Sequence, residues 1–380
     1  MKHHQHKSAF PFVRPPVEFD KHTDKQLLQY CLGGTLYMPG TKDILDKILR
    51  RDLQDLTSMV MCFEDAISAD QLPQAEINVL QHLDRLAAAV ASGELALKDV
   101  PLIFLRVRNT AQFITFSSRL SVAQAAVLTG FVFPKFYSQN AHLFLDQLRT
   151  LNETLGVLLY GMPILEGHAI AYGETRNSEL MALKAILDPF KDLILNVRIG
   201  GTDFSAIFGV RRGINTSIYD ILPVRDVLTD ILNYFNRADA GYTISGPVWE
   251  YFLADTAIDI DDVLAENIHR SLLNRNPILN EALDGLLREV ILDKANGFIG
   301  KTVIHPSHLK YVNAMHAVTR EEYEDACQII DASGGVIKSA KSNKMNEINP
   351  HRNWAQRVAR CADAFGVIED ESCYLKLCLA

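Results

Sequence analysis

Charged residues follow five short apolar runs in this chain of 380 residues. In chain order they are Glu64 and Asp65, Arg106 and Arg108, Lys135, Glu166, and Asp203. Carboxylates supply the oxygen ligands that Mg²⁺ prefers, and arginine suits bidentate binding of a carboxylate or phosphate. Because the carboxyl ends of parallel strands in a closed barrel meet at one mouth, the pattern predicts a single site that combines a metal with an anionic substrate.

Glu166 and Asp203 are the predicted ligands of a divalent metal, Mg²⁺ or Mn²⁺. Each residue ends an apolar run, so two neighbouring strands would deliver the two carboxylates to the same mouth. Water and substrate oxygens would complete the coordination shell. The alternative is a pair of strand-end acids that are neutralised by an arginine or by the amino termini of helices.

Glu64 and Asp65 are adjacent, so on a strand their side chains would point to opposite sides and only one would face the site. The inward side chain is expected to accept hydrogen bonds from water on the metal. In the alternative interpretation, Asp65 caps a helix that begins near Ala66. The two interpretations are compatible.

Arg106 and Arg108 lie two residues apart and therefore share one face of their strand. Two adjacent guanidinium groups are electrostatically costly unless an anion is present, so the pair predicts substrate binding. A dicarboxylate or a phosphorylated acid is expected to bind better than pyruvate. The alternative is a structural ion pair with Glu64 or Glu166. Substrate binding and such an ion pair are compatible.

Lys135, Gly201 and Thr202 are further candidates for contact with the substrate. Lys135 follows Pro134 at the end of its run and is either a Schiff-base lysine or an ordinary ion-pair partner. In the segment 200–203, two glycines and Thr202 precede Asp203. The glycine amides either bind a carboxylate oxygen of the substrate or form a simple turn.

Eight short runs predict eight strands, at residues 34–39, 58–65, 101–108, 130–135, 156–166, 193–201, 241–248 and 301–306. Between them lie segments with apolar residues at helical spacing, such as 41–53 and 72–92. Buried apolar strands that alternate with helices are typical of a parallel sheet, and eight units favour an α/β fold of the (β/α)8 type. A doubly wound open sheet is the alternative, since the seventh run is weak.

The pattern divides the chain into a leader at 1–32, a catalytic barrel at 33–310 and a helical extension at 311–380. The leader contains several histidines and is expected to be a flexible tail with a short helix at 24–32. Further helices are predicted at 319–332, capped by Thr319, and at 353–365. The extension is too small for a core of its own, so it is expected to dock on the barrel or to form a lid that contacts a neighbouring subunit.

Composition excludes several classes of function. A net charge of −8 and a pI near 5.8 provide no electrostatic footprint for nucleic acid or for an anionic membrane. No apolar stretch has the length of a membrane span, and the first residues lack the apolar core of a signal peptide. Six cysteines without metal-binding or regular spacing predict a reduced, cytoplasmic protein.

Taken in chain order, these segments resemble the citrate lyase β-subunit-like branch of the HpcH/HpaI aldolase/citrate lyase family. The most specific match is 297–308, which reads Gly-Phe-Ile-Gly-Lys-Thr-Val-Ile-His-Pro-Ser-His. The other matching segments are 36–40, 62–67, 105–109, 133–135, 165–167 and 199–204.

The resemblance implies a TIM barrel of the phosphoenolpyruvate/pyruvate-binding superfamily. It assigns Mg²⁺ to Glu166 and Asp203, outer-shell roles to Glu64 and Asp65, and the substrate carboxylate to Arg106. The implied reaction cleaves or forms a carbon–carbon bond in a small 2-oxo or 2-hydroxy acid, or in its acyl thioester, through a metal-stabilised enolate. A homo-oligomer such as a trimer is also implied, whereas no residue of this chain specifies use of coenzyme A.

One implied residue lies in the extension. Family members often carry an aspartate near the carboxyl terminus that reaches the site of an adjacent subunit as an acid or base. Here the segment 344–347 occupies that place and ends in Glu347, whose side chain is longer.

Two further departures from the family are Gly167 after Glu166 and Cys62 in place of an acid. They keep two alternatives open. One is a phosphotransfer or hydrolytic enzyme of the same superfamily. The other is a non-catalytic metabolite-binding or scaffold protein that retains the metal site.

Overall fold

A computed structural model describes residues 1–252, 278–339 and 343–380. Seven parallel strands form one sheet: β1 (Gly34–Pro39), β2 (Ser58–Cys62), β3 (Leu102–Arg106), β4 (Gly130–Phe133), β5 (Tyr160–Leu165), β6 (Arg198–Ile199) and β7 (Lys301–Val303). Their order across the sheet is β6-β5-β4-β3-β2-β1-β7. Strands β2 to β5 are buried at every residue, as expected for strands covered on both faces.

A segment within the predicted seventh strand, 241–248, joins the two edges of this sheet. Val197, beside β6, pairs in parallel with Ile244, and Gly246 pairs in parallel with Lys301 of β7. Backbone hydrogen bonds of 2.7 to 3.1 Å run along both sides of the segment. The seventh strand is therefore reduced to isolated bridges, but the ring closes, which confirms the predicted barrel and excludes the open sheet.

Helices cover the outside of the ring. They are Leu45–Leu49, Leu72–Ser92, Thr110–Ser117, Val122–Val127, Ala141–Leu155, His168–Ala171, Gly173–Leu187, Gly201–Ile207, Leu222–Phe235, Glu281–Ala295 and Leu309–Met315. The predicted helix 72–92 is confirmed, whereas the one predicted at 41–53 covers only Leu45–Leu49. Leu309–Met315 packs on β1, so the barrel continues beyond residue 310. Among the described residues, no helix combines the length and the apolar character that crossing a membrane requires.

Apolar side chains form two buried layers. One lies between the strands and the outer helices and includes Phe113, Phe133 and Phe144, with ring centroids 4.8 to 6.2 Å apart. The other fills the inside of the ring with residues such as Val60 and Phe104, and it continues into the extension. The barrel interior is thus a packed core and not a pore.

The extension covers the amino end of the barrel. Its helices Arg320–Asp331 and Ile348–Phe365 pack together, and residues that precede β1 and β7, at 29–30 and 297–299, lie beside Ile348–Phe365. In its own chain the extension is therefore not a lid over the carboxyl ends of the strands. Thr319 caps the first helix as predicted.

Shorter elements complete the extension. Val318–Thr319 pairs in parallel with Val367–Ile368, and Val336–Lys338 pairs antiparallel with Met345–Glu347. A last helix covers Cys373–Leu379.

The leader is not the flexible tail that its polar histidines predicted. His3 and His4 are buried, and the His3 ring stacks on Phe365 with the ring centroids 4.5 Å apart. Burial lowers the pKa of His3 to about 3, so the imidazole is neutral, and its Nε2 lies 2.9 Å from the Cys31 carbonyl oxygen. The predicted helix 24–32 is a single turn, Lys25–Leu28.

An ion-pair network buried beside the closing segment holds the last strand. The ammonium group of Lys301, at the start of β7, lies 3.0 Å from Glu289 and 2.7 Å from Asp293 on the helix Glu281–Ala295. All three side chains are fully buried, and Arg212 lies 2.6 Å from Glu289. Buried charges of this kind are tolerable only when each is paired, so the network ties β7 to its helix.

Replacing the buried lysine should destabilise the barrel. In a Lys301→Met variant, Glu289 and Asp293 lose a shared cation, and we expect the free energy of unfolding to fall by about 3–5 kcal/mol. Urea denaturation measures the loss. Lys98→Met is the matched control because the Lys98 side chain is 57% exposed; its effect should stay within about 0.5 kcal/mol. Equal losses in the two variants would contradict this account of the network.

Candidate active site

Six charged side chains converge at the carboxyl ends of the strands. They are Glu64 and Asp65 after β2, Arg106 at the end of β3, Lys135 after β4, Glu166 after β5, and Asp203 in the first turn of the helix Gly201–Ile207. Salt-bridge contacts within 4.0 Å link all six. The predicted convergence at one mouth is therefore present, and we call this group the mouth cluster.

Arg106 forms the buried side of the mouth cluster. Its guanidinium group contacts the carboxylate of Glu64 and lies 3.3 Å from Asp65 and 3.8 Å from Glu166. Burial alone would lower the pKa of Arg106, but Glu166 and its other anionic neighbours raise it, so the charge is retained. The ion pair that the sequence offered as an alternative is thus formed.

Glu64 and Asp65 both face the mouth cluster. The expectation that only one of them would do so is wrong, because β2 ends at Cys62 and the alternation of a strand no longer applies. Asp65 does not cap the next helical turn either. That turn is the 3₁₀ helix Ala69–Gln71, and Ser68 forms its capping box. The Asp65 side chain remains 60% exposed, whereas Glu64 is largely buried.

Lys135 occupies the centre of the mouth cluster. Its ammonium group contacts Asp203 and lies 3.6 Å from Glu166 and 3.8 Å from both Glu64 and Asp65. Burial alone would lower the pKa of Lys135, but Glu166 and Asp203 raise it overall. A lysine held in the protonated state is not a nucleophile, so the geometry favours an ion-pair role over a Schiff base.

The backbone of Lys135 adopts a conformation that is unusual for a residue with a side chain. Its φ angle is +47°, in the left-handed region. The Glu166 carboxylate accepts a hydrogen bond of 2.7 Å from the Lys135 amide, and the Asn140 side chain donates one of 2.9 Å to the Lys135 carbonyl. Backbone strain of this kind persists only where the surroundings enforce it, and it is common at functional sites.

Glu166 and Asp203 lie together because Gly200 has no side chain. A Cβ atom at Gly200 would lie 2.3 Å from the Glu166 Cβ, 2.5 Å from its Oε2 and 3.1 Å from the Asp203 Oδ2. Burial raises the pKa of Glu166 to about 8, and the charge of Asp203 adds to the shift. Both effects disfavour the ionised pair, and the neighbouring cations Arg106 and Lys135 counter them only in part.

The residues fit a divalent cation. Four carboxylates face only two basic groups in the mouth cluster, so two negative charges remain uncompensated when all six ionise. Within the described ranges, no group of three or more His, Cys, Asp and Glu side chains forms a metal-binding set. Mg²⁺ commonly binds through one or two carboxylates and otherwise to water and substrate oxygens, which Glu166 and Asp203 would satisfy.

Four predicted site residues lie outside the mouth cluster. The Arg108 guanidinium donates a hydrogen bond of 3.2 Å to the Phe63 carbonyl. The other three are Gly201, which is buried against Pro247, Thr202, whose hydroxyl donates to Glu250 at 3.1 Å, and Glu347. Glu347 is exposed at the start of the helix Ile348–Phe365, on the extension that covers the opposite end of the barrel.

Tyr137 is a mouth residue that the sequence reasoning missed. A Cβ atom on Gly167 would lie 1.9 Å from the Tyr137 ring, so the glycine makes room for this tyrosine. Burial raises the pKa of the Tyr137 phenol, and Lys135, Glu166 and Asp203 lie within electrostatic range. The unusual Gly167 was the one available signal.

Arg198 and Tyr37 were also missed. Arg198, in β6, is 1% exposed, its guanidinium lies 5.3 Å from the centre of the Tyr37 ring, and it donates a hydrogen bond of 2.8 Å to the Thr302 hydroxyl. Burial lowers the pKa of Arg198. Within the described part of the chain it has no carboxylate partner, so a positive charge lies inside the ring below the mouth cluster. A single arginine within an apolar run provided no specific signal.

Comparison with known proteins identifies the family. A family model described as "C-C_Bond_Lyase of the TIM-Barrel fold" matches residues 26–367. The chain belongs to this family. It is thus an enzyme of the carbon–carbon lyase class, as the resemblance implied. No curated protein matches the sequence.

The chain is also similar to solved structures. CitE from Mycobacterium tuberculosis in complex with magnesium, acetoacetate and coenzyme A is 18% identical with a TM-score of 0.51, covering 88% of this chain and 99% of that one. The citrate lyase β subunit of the same organism with oxaloacetate and magnesium is 17% identical, with a TM-score of 0.45 and coverages of 74% and 95%. Haloferax volcanii malate synthase in a lead(II) complex is 14% identical, with a TM-score of 0.44 and coverages of 72% and 70%.

Any metal binding that involves Glu166 should depend on pH. With its pKa raised to about 8, the carboxyl group carries a proton below that pH, and a metal must displace the proton. We expect the affinity for Mg²⁺ to rise about fivefold from pH 7 to pH 8 and to level off above pH 9. Calorimetric titrations in two buffers of different ionisation enthalpy measure the affinity and count the released protons. A flat profile without proton release would count against this environment for Glu166.

The fit between Gly167 and Tyr137 can be tested with a double-mutant cycle. Gly167 has an extended backbone that any residue adopts, so Gly167→Ala should destabilise the protein only through the Tyr137 ring, by about 1–3 kcal/mol. In a Tyr137→Ala background the same change should cost almost nothing. Gly173→Ala is the control because a Cβ atom there meets nothing within 4 Å. Denaturation curves give the four free energies, and additive effects would exclude the contact.

Proposed function

We propose that this lyase depends on Mg²⁺ and cleaves or condenses a small 2-oxo or 2-hydroxy carboxylic acid. The observation that carries the proposal is the mouth cluster, where four carboxylates and two basic side chains from five strand ends meet. Its excess of negative charge suits a divalent cation, and its position at the carboxyl ends of the strands is where barrel enzymes place their chemistry.

Glu166 and Asp203 would hold the metal. Gly200 leaves the space that lets their carboxylates approach each other. When bound, Mg²⁺ or Mn²⁺ would supply a positive charge that polarises the 2-oxygen of the substrate and stabilises the negative charge that develops as the bond breaks. Glu64 and Asp65 stand beside this pair and would accept hydrogen bonds from water.

Lys135 and Arg106 set the electrostatics of the site. Lys135 remains protonated because Glu166 and Asp203 surround it, so its Nζ donates hydrogen bonds and removes no proton. Arg106 is anchored by Glu64 and Asp65 with little freedom to move. Both cations would favour a substrate carboxylate at the edge of the mouth cluster.

Arg108 is the more available of the two neighbouring arginines. Its guanidinium donates to the Phe63 carbonyl and has no carboxylate partner among the residues described. A second carboxylate on the substrate would supply one. The proposed substrate class is therefore a dicarboxylate, with Arg106 and Arg108 as the main binding groups and the amide of Gly201 and the hydroxyl of Thr202 as further candidate contacts.

Glu347 would act in a neighbouring subunit. The extension places it at the end of the barrel opposite to the mouth cluster of its own chain, and it is exposed. A carboxylate with this location can serve as an acid or base only if subunits assemble so that one extension faces the mouth of another. We therefore propose a homo-oligomer in which Glu347 completes an adjacent site.

Titration with Mg²⁺, with and without oxaloacetate, tests the proposed site. We expect metal-dependent binding of oxaloacetate that is at least tenfold tighter than that of pyruvate, because Arg108 is available for the second carboxylate. The Glu166→Gln/Asp203→Asn double variant should lose binding of both metal and acid. Isothermal calorimetry on the purified full chain measures each affinity.

Two further variants make the result specific. Arg108→Met should reduce the preference for oxaloacetate over pyruvate without abolishing Mg²⁺ binding. Glu153→Gln, at an exposed position on the helix Ala141–Leu155, removes one carboxylate elsewhere and should change neither affinity. Unchanged binding in the double variant would refute the proposed metal site.

A further inference from the structure

A cavity lies at the amino end of the barrel, opposite to the mouth cluster. Its volume is about 980 Å³. The barrel contributes residues that precede strands, such as Tyr30 and Asn236, and the helix Ile348–Phe365 contributes Trp354, Arg357 and Arg360. This volume is at the upper end of the range for small-molecule sites, and the lyase reaction makes no use of it.

The walls of this cavity are positively charged although the chain has a net charge of −8. Arg237, Lys294, Arg357 and Arg360 line it, and Glu322 is the one acidic residue in the lining that the structure describes. Lys294 lies 3.8 Å from Glu322. The three arginines have no carboxylate partner in the described ranges, so their charge is available to an anion.

Neutral groups hold the central arginine in position. Arg357 donates hydrogen bonds of 2.9 Å to the Gly297 carbonyl and 2.7 Å to the Asn236 side chain. These partners orient the guanidinium and leave its charge uncompensated, which is the arrangement of an anion-binding arginine and not of a structural ion pair. Arg237 and Arg360 are exposed at the rim, where they would reach further anionic oxygens.

Aromatic side chains add a second recognition element. Trp354 lines the cavity and is 39% exposed, so its ring is accessible to a ligand, and Tyr30 also lines the cavity. A planar ring stacks favourably on such side chains. Arginines near flat aromatic rings suit a ligand that has both phosphate groups and a ring.

We propose that this cavity binds a nucleoside diphosphate or triphosphate. The phosphates lie against Arg237, Arg357 and Arg360, and the base stacks near Trp354. Because the walls come from both the barrel and the extension, the bound nucleotide joins the two and stabilises their contact. It thereby acts on the element that carries Glu347, while the mouth cluster remains free for its own ligands.

Binding of ADP to the full chain tests the proposal. We expect saturable binding by calorimetry and a rise in melting temperature, because a ligand that binds only the folded state stabilises it. A double variant, Arg237→Gln/Arg360→Gln, should bind ADP at least tenfold more weakly. Both side chains are exposed, so the variant should keep the fold, and its far-ultraviolet circular dichroism checks this. Arg149→Gln is the matched control, since it removes one exposed arginine on another helix.

Competition experiments show which parts of the nucleotide are recognised, and a variant of the mouth cluster shows whether the two sites are independent. Pyrophosphate and adenosine should each displace ADP more weakly than ATP does, and the Glu166→Gln/Asp203→Asn variant should bind ADP unchanged. ADP binding that is lost in this variant, or that persists in Arg237→Gln/Arg360→Gln, overturns the proposal. So does a concentration-dependent dimer that excludes ADP, because a second copy would then occupy the cavity.

Discussion

The barrel depends on one buried lysine. Lys301 lies at the position where the weak seventh segment, 241–248, meets the last strand, and its ammonium group is shared by Glu289 and Asp293. Gly246 permits this arrangement, since a Cβ atom there would lie 2.5 Å from the Asp293 carboxylate. The ring closes here through isolated backbone bridges, and the paired buried charges hold the last strand against its helix beside them. Closure in turn brings all carboxyl ends to one mouth.

Charge is distributed unequally between the two ends of the ring. The carboxyl end gathers four carboxylates around Arg106 and Lys135, whereas the amino end has three arginines that have no acidic partner among the described residues. Each excess of like charge raises the free energy of the folded protein unless a ligand of opposite charge offsets it. A divalent cation with a carboxylate substrate suits one end, and a phosphorylated anion suits the other.

Packing and chemistry are coupled through small residues. Gly200 lets Glu166 approach Asp203, and Gly167 admits the ring of Tyr137 to the edge of the mouth. Lys135 adopts a left-handed backbone because Glu166 and Asn140 hold its amide and carbonyl. These contacts hold Glu166, Asp203 and Lys135 in position before any ligand arrives, which reduces the cost of organising the site on binding.

Much of the fold could be read from the chain, because parallel strands need only short apolar runs that end abruptly. The seven strands, the helix Leu72–Ser92 and the cap at Thr319 lie where these local patterns place them. The leader could not be read in this way. His3 and His4 look polar in sequence, but both are buried, and the His3 ring stacks on Phe365, a contact that joins residues from opposite ends of the chain.

The sequence by itself determined the types and the order of the mouth residues, since Glu166, Asp203, Arg106 and Lys135 each follow an apolar run. Only the tertiary structure decided their pairing: which acid Arg106 neutralises, that both Glu64 and Asp65 face inward, and that Glu347 lies at the other end of the barrel. The physical reason is that apolar periodicity is a local property, whereas ion pairs, burial and the closure of a ring depend on distances between residues far apart in the chain.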